Sequence, residues 1–282
     1  MINLTAILTI AKKEFSDKLY ESSLVLLMAI FMLALFIYTY GADFGDVAKV
    51  IGVFFPLIGI VLGYDAIIRE KNSKSLNVLL TQPVFRDNII TGKFVGISLT
   101  LFLVIFVSLM IILASDYMIY GQVAQLESFF RLLLFGIFAY FYLLIFASLG
   151  LLTSIILKSE IMSLTLGVIV WLTMCFALGP SIIMLTSIIT GQSMFEMTDE
   201  FLATGSSLFN ISPIHHFAEV TVGSLDLSYG SFSIQREVHG FLDTRYSILY
   251  LLEYYWQNVV VLVAVPIILL IVSYISFLRE DI

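Results

Sequence analysis

Residues 95–114 read VGISLTLFLVIFVSLMIILA, twenty positions without a charge, in which only Ser98, Thr100 and Ser108 carry polar side chains. At ~1.5 Å per residue such a helix covers about 30 Å, the hydrocarbon thickness of a bilayer, so the stretch is predicted to span one. On either side the pattern repeats. Residues 22–40, 50–67, 130–157, 161–179 and 259–277 are comparably long and apolar, which makes six spans. Pro180 interrupts the end of the fifth, leaving 181–190 either as the continuation of a tilted helix or as a separate piece that does not cross.

Composition agrees. Of 282 residues 60% are apolar and 12% charged, with a mean hydropathy of +1.03, a balance that would leave a soluble domain with large apolar patches in water. The formal charge of −7 matters less than where each sign falls. The single cysteine, Cys175, lies in an apolar run, so no disulfide framework or cysteine metal cluster is expected within the chain. No secretory leader is expected, because the first apolar stretch precedes Lys12 and Lys13 instead of following a basic segment.

Lysine and arginine set the orientation. With the N-terminus inside, Lys12, Lys13, Lys18, Arg69, Lys71, Lys74, Arg86, Lys93, Lys158 and Arg279 are cytoplasmic. Lys49, Arg131, Arg236 and Arg245 fall outside, the last two in a long loop that the positive-inside rule discounts. Both termini are therefore expected in the cytoplasm.

Before the first span, residues 4–20 pattern as an amphipathic helix with Leu4, Ile7, Leu8, Ala11, Phe15 and Leu19 on one face and Lys12, Lys13 and Asp17 elsewhere. It is expected to lie in the cytoplasmic interface, apolar face down, its lysines favouring anionic lipid. The loop after the second span carries Arg69, Glu70, Lys71 and Lys74, then Leu76, Leu79 and Leu80 as an apolar stripe at i, i+3, i+4 that Pro83 ends. Asp87 is expected to cap the third span. Exposed leucines between charged flanks need a partner. A turn at 157–160 joins spans four and five, and residues 191–258 form a long acidic outer loop whose aromatic stretch, 246–256, reads as a separate interfacial helix.

The segment 63–96 resembles the first cytoplasmic loop of type-2 ABC transporter permeases, the membrane subunits of ABC exporters. The resemblance rests on Asp65, Glu70, the run Leu79-Leu80-Thr81-Gln82-Pro83-Val84-Phe85-Arg86, and Gly92-Lys93-Phe94. Lys74-Ser75 stands where the family usually has Gly-Thr, and Asn210-Ile211-Ser212-Pro213 is similar to an element before the family's last helix. The resemblance implies an all-α integral membrane protein over 1–282, with six transmembrane helices, an N-terminal elbow helix over 1–21, a coupling loop at 68–94 and an extracytoplasmic loop at 191–258. Glu70, Leu76, Leu79, Leu80, Pro83 and Arg86 would then meet a cytoplasmic ATPase subunit, with Lys12, Lys13 and Phe15 on the elbow helix beside it. A second permease copy or a paralogue, membrane lipid and an extracytoplasmic accessory protein are the other implied partners; nucleic acid is not one. The implied location is a prokaryotic plasma membrane. The residues support a separate ATPase independently: Gly92-Lys93 is followed by Phe94, and the chain has no G-x-x-x-x-G-K-[ST] phosphate cradle, so ATP and Mg are expected on another polypeptide, with no cofactor, metal or catalytic residue here.

Other features read more plainly. His215 and His216 read as an exposed pair opening a loop helix rather than a metal site, since neighbours on a helix point about 100° apart and only His215 and Glu219 share a face. Asp65 reads as a helix-end residue paired with Arg69 at i+4, not as a proton relay. Gly59-x-x-x-Gly63 and Gly92-x-x-x-Gly96 allow close helix approach. An intramembrane enzyme would need a catalytic constellation that the spans lack, all three histidines being in the outer loop. The alternatives are a secondary transporter, which normally shows buried charge or matched broken helices, and a structural membrane subunit without an ATPase partner.

Overall fold

A computed structural model describes residues 3–39, 44–75, 85–121, 125–193, 198–223 and 240–279. Among them there is no strand. The helices are α1 (Leu4–Tyr20), α2 (Ser22–Thr39), α3 (Phe44–Gly63), α4 (Ile68–Asn72), α5 (Arg86–Tyr120), α6 (Leu126–Ile156), α7 (Glu160–Leu172), α8 (Leu178–Thr190), α9 (Asp199–Phe209), α10 (Pro213–Thr221) and α11 (Ile248–Leu278). Six helical stretches are long and apolar enough to cross a membrane: Ser22–Thr39, Val47–Asn72, Arg86–Tyr120, Leu126–Ile156, Glu160–Thr190 and Ile248–Leu278. The protein is an all-α integral membrane protein, as its sequence predicts.

The second and fourth of these stretches form the centre, 78% and 67% buried, against 17% for the first, fifth and sixth. Small residues let the central pair approach closely. A Cβ on Gly63 would sit 2.5 Å from the Ala147 carbonyl oxygen, and one on Gly150 would sit 2.8 Å from that of Ile60. Pro56 lies inside α3 and cannot donate to the carbonyl of Gly52. One neighbour supplies the missing donor, the Tyr142 hydroxyl bonding Gly52 O at 2.7 Å, and Trp171 Nε1 adds a bond to the next carbonyl, Val53 O, at 2.6 Å.

Pro180 does not end the fifth span. A π-helical turn over Thr173–Ala177 widens the helix just before the proline, and α8 continues to Thr190, so 181–190 extends the span. Nor is 246–256 a separate helix. Ser247 caps α11 by accepting from Tyr250 N, no glycine or proline follows before Pro266, and the aromatic stretch is the first part of a single 31-residue helix. Asp87 also departs from expectation: the chain enters α5 at Arg86 with Phe85 as N-cap, so Asp87 lies in the first turn, where its charge favours the helix dipole without capping it. At 35 residues, α5 reaches about 52 Å, longer than the hydrocarbon, and its Arg86–Lys93 end runs beside α1.

At the opposite end α10 sinks into the bundle. Ser212 caps it, Pro213 occupies its first turn, and Phe217 stacks on Tyr142 at 4.5 Å and 9°. His215 and His216 are consequently buried, not exposed, because Ile214, Phe217 and Val220 on the same short helix carry them inward. Arg131, 2% exposed, fixes the chain that follows by donating to the carbonyls of Phe241, Asp243 and Tyr246 at 2.7–2.9 Å.

Candidate functional site: the first-loop junction

The first loop starts where α3 ends, and three elements hold that start. Ser154, near the end of α6, accepts from Ile67 N at 2.8 Å and Ile68 N at 3.3 Å, satisfying donors at the α4 entrance. Lys71 returns the contact, donating to the Ile155 carbonyl at 2.9 Å. The second element is α1, and α5 behind it is the third. Its contact face is Ile7, Ala11, Glu14 and Lys18, all buried, while Leu4 and Leu8 are 67% and 56% exposed. The expected single apolar face is thus divided: the large leucines point away from the protein and the small Ala11 lies against α5. Gly92 and Gly96 make the match, since Cβ atoms there would meet Ile10 Cβ at 2.7 Å and Glu14 Cβ at 2.6 Å. Both glycine motifs therefore serve contacts within the chain.

Charges buried by this packing pair across elements. Lys93 Nζ, on α5, lies 2.8 Å from Glu14 Oε2 on α1 and 3.0 Å from Glu70 Oε1 on α4. Lys18 Nζ, on α1, lies 2.6 Å from Asp65 Oδ1, and Arg69 Nη1 lies 3.0 Å from Asp65 Oδ2. Glu21 extends the chain at 3.6 Å from Lys18 and 3.7 Å from Arg69. Lys18, Lys93 and Asp65 are each 3% exposed or less, so their charges are tolerable only because they are paired. Between α1, the loop and α5 the same groups surround an open cavity of about 470 Å³. Charged contacts thus join α4 to α1 and α5, and Ser154 and Lys71 join it to α6.

Among the residues expected from sequence, Glu70 stands in this network, and Lys13 lies 4.0 Å from it. The Asp65–Arg69 pair is present as expected. Lys12 is exposed on α1, Phe15 half-buried, and Arg86 opens α5. Leu76, Leu79, Leu80 and Pro83 lie outside the described residues. Glu14, Lys18 and Lys93 were not anticipated as site residues. A signal existed for two of them: Glu14 and Lys18 follow Ile7 and Ala11 at 3-and-4 spacing, so they share the face that packs. At the far end, His215, His216 and Glu219 lie together on α10, and no group of three or more metal-ligating side chains occurs among the described residues.

A family model described as "ABC-2 family transporter protein" matches residues 47–282. The chain belongs to the ABC-2 transporter family. It is similar to the "Probable ABC transporter permease protein NosY" of Stutzerimonas stutzeri, 35% identical over 112 residues, covering 35% of this chain and 41% of that protein. The protein of the same description from Pseudomonas aeruginosa is 34% identical over 107 residues, covering 33% of this chain and 39% of that protein. The match thus spans about two fifths of the length of these relatives. Family membership makes this chain a membrane-spanning transport component of the permease type.

Proposed function

We propose that the chain is the permease subunit of an ATP-driven ABC exporter, working with a separate cytoplasmic ATPase. The observation that carries this reading is the junction itself: the start of the first loop is tied by buried ion pairs to α1 and α5 and by hydrogen bonds to α6. A loop that only connected two spans would need no such ties. In this reading residues 68–94 are the coupling loop, and Leu76, Leu79, Leu80 and Pro83 enter a cleft on the ATPase with Glu70 and Arg86 flanking them. The elbow helix α1, with Lys12, Lys13 and Phe15, lies along the cytoplasmic membrane surface. ATP and Mg are bound by the ATPase, whose closure pushes the loop; the ion pairs pass that push to α1 and α5, and the bundles rock to open a path between two permease subunits, identical or paralogous. Both termini face the cytoplasm of a prokaryotic cell, and residues 191–258 face outward, available to an accessory protein.

Copurification tests this directly. The tagged chain coexpressed with its neighbouring ATPase, beside Leu79→Asp, is expected to bring down the ATPase in native form and to release it or lose coupled hydrolysis in the variant. An ATPase that never associates, with a variant behaving as native, removes the reading.

A further inference from the structure

We propose that the cavity at the first-loop junction receives one basic side chain, a lysine or an arginine, of the ATPase. The inference rests on the coupling reading above and adds to it a second contact, beside the leucine stripe. Two deficits inside the cavity call for such a group. Five carboxylates line it against four cations, so it is one positive charge short. Glu70 meets Lys93 through Oε1, while its Oε2 is buried and accepts no hydrogen bond. Of the five acids, Asp17 is the one that has no ion-pair partner among the described residues. The rest of the first loop does not supply the missing cation: residues 76–84 read LNVLLTQPV, without a lysine or arginine.

Position favours the ATPase as the source. Ser75 lines the cavity, and Leu76, where the proposed contact with the ATPase begins, follows it directly. Lys13, Asp17 and Tyr20 line the cavity from one side of α1. At about 100° per residue, the exposed Leu4 and Leu8 fall on the opposite side, which the elbow reading gives to the membrane. A subunit seated on residues 76–83 therefore adjoins the mouth. While that mouth is open, water screens the excess charge. Beneath a seated subunit much of that water is displaced, and a carboxylate left without a counter-charge becomes costly. A lysine or arginine on the covering surface offsets the cost. At ~30 Å³ per water, the 470 Å³ holds one such side chain with several waters.

The test measures binding of the ATPase to the full chain in nanodiscs by biolayer interferometry, at low and at high NaCl. Asp17→Lys puts a cation at the exposed rim, where it repels the incoming one. Its affinity is expected to fall about tenfold at low salt, with a flatter salt dependence and an unchanged thermal midpoint. Asp17→Asn is expected to lose about threefold, and it carries the test should Asp17→Lys lower the midpoint. One lysine or arginine of the ATPase, changed to glutamate, is expected to restore the binding that Asp17→Lys loses. Leu79→Asp separates this contact from the reading beneath it. An ATPase that does not bind the native chain removes both. Native binding that Leu79→Asp abolishes overturns the cavity contact alone if the Asp17 variants bind as the native chain does, or if no charge exchange restores affinity.

Discussion

At the end of the bundle that carries α1, lysines bridge carboxylates from different elements, Lys93 between Glu14 and Glu70 and Lys18 between Asp65 and Glu21. At the other end, Arg131 gathers three backbone carbonyls and the carboxylate of Glu127. Both arrangements bury a cation, yet they constrain motion differently. An ammonium is a point charge on a flexible stem and can exchange one carboxylate for another as helices shift. The guanidinium fork matches fixed acceptors in one geometry. The first junction is suited to moving as a unit with its loop, and the second to holding still.

The largest effect is expected where a buried charge loses its partner. Lys93→Met leaves Glu14 and Glu70 facing each other in a buried site and should cost about 3–5 kcal/mol of stability. Adding Glu14→Gln and Glu70→Gln should recover much of that loss, because it is the unpaired charge and not the missing attraction that destabilises. Reversible unfolding in mild detergent measures both, and a single-variant loss under about 1 kcal/mol would contradict a buried network.

Arg131→Ala should cost about 3 kcal/mol, confined to the chain following α10, since it strands three carbonyls that Arg131 now satisfies. Limited proteolysis within 222–247 should accelerate, while the ATPase coupling proposed for the first loop stays intact. Equal uncoupling by Arg131→Ala and Lys93→Met would erase the distinction between the two ends. A smaller effect belongs to the centre that joins them: Tyr142→Phe removes the donor to Gly52 O, the carbonyl left open by Pro56, and should cost about 1–3 kcal/mol. Trp171→Phe, acting on the neighbouring Val53 carbonyl, should cost a similar amount.

Length and hydropathy run along the chain, and so the six spans were legible in it; so was the Asp65–Arg69 pair, because its partners are one turn apart. The contact face of α1 was read differently for a physical reason. In water, large apolar residues mark the packed face, but beside lipid Leu4 and Leu8 have nothing to gain by turning inward, and small residues such as Ala11, Gly92 and Gly96 mark the contact instead. Lys93 was hidden because Glu14 and Glu70 lie on other elements, and pairings of that separation leave no periodicity. The burial of His215 and His216 was available in outline, since Ile214, Phe217 and Val220 give so short a helix an apolar face that must go somewhere.

The smallest effect concerns Lys74, whose backbone conformation suits glycine. Lys74 has φ = 58°, the only positive φ at a non-glycine residue among those described, and it follows the end of α4. A left-handed conformation costs an L-residue about 1–2 kcal/mol, and glycine avoids that cost. Glycine also gives up about 0.5–1 kcal/mol through the greater freedom of its unfolded chain. The difference favours Lys74→Gly by roughly 0.5 kcal/mol. Slower amide exchange over α4 measures the gain. If Lys74→Gly instead loosens α4 and leaves the Lys93 ion pairs unchanged, the lysine side chain contributes more to the junction than its backbone strain takes away, and the first-loop end is fastened by one more charge than the pairs described above.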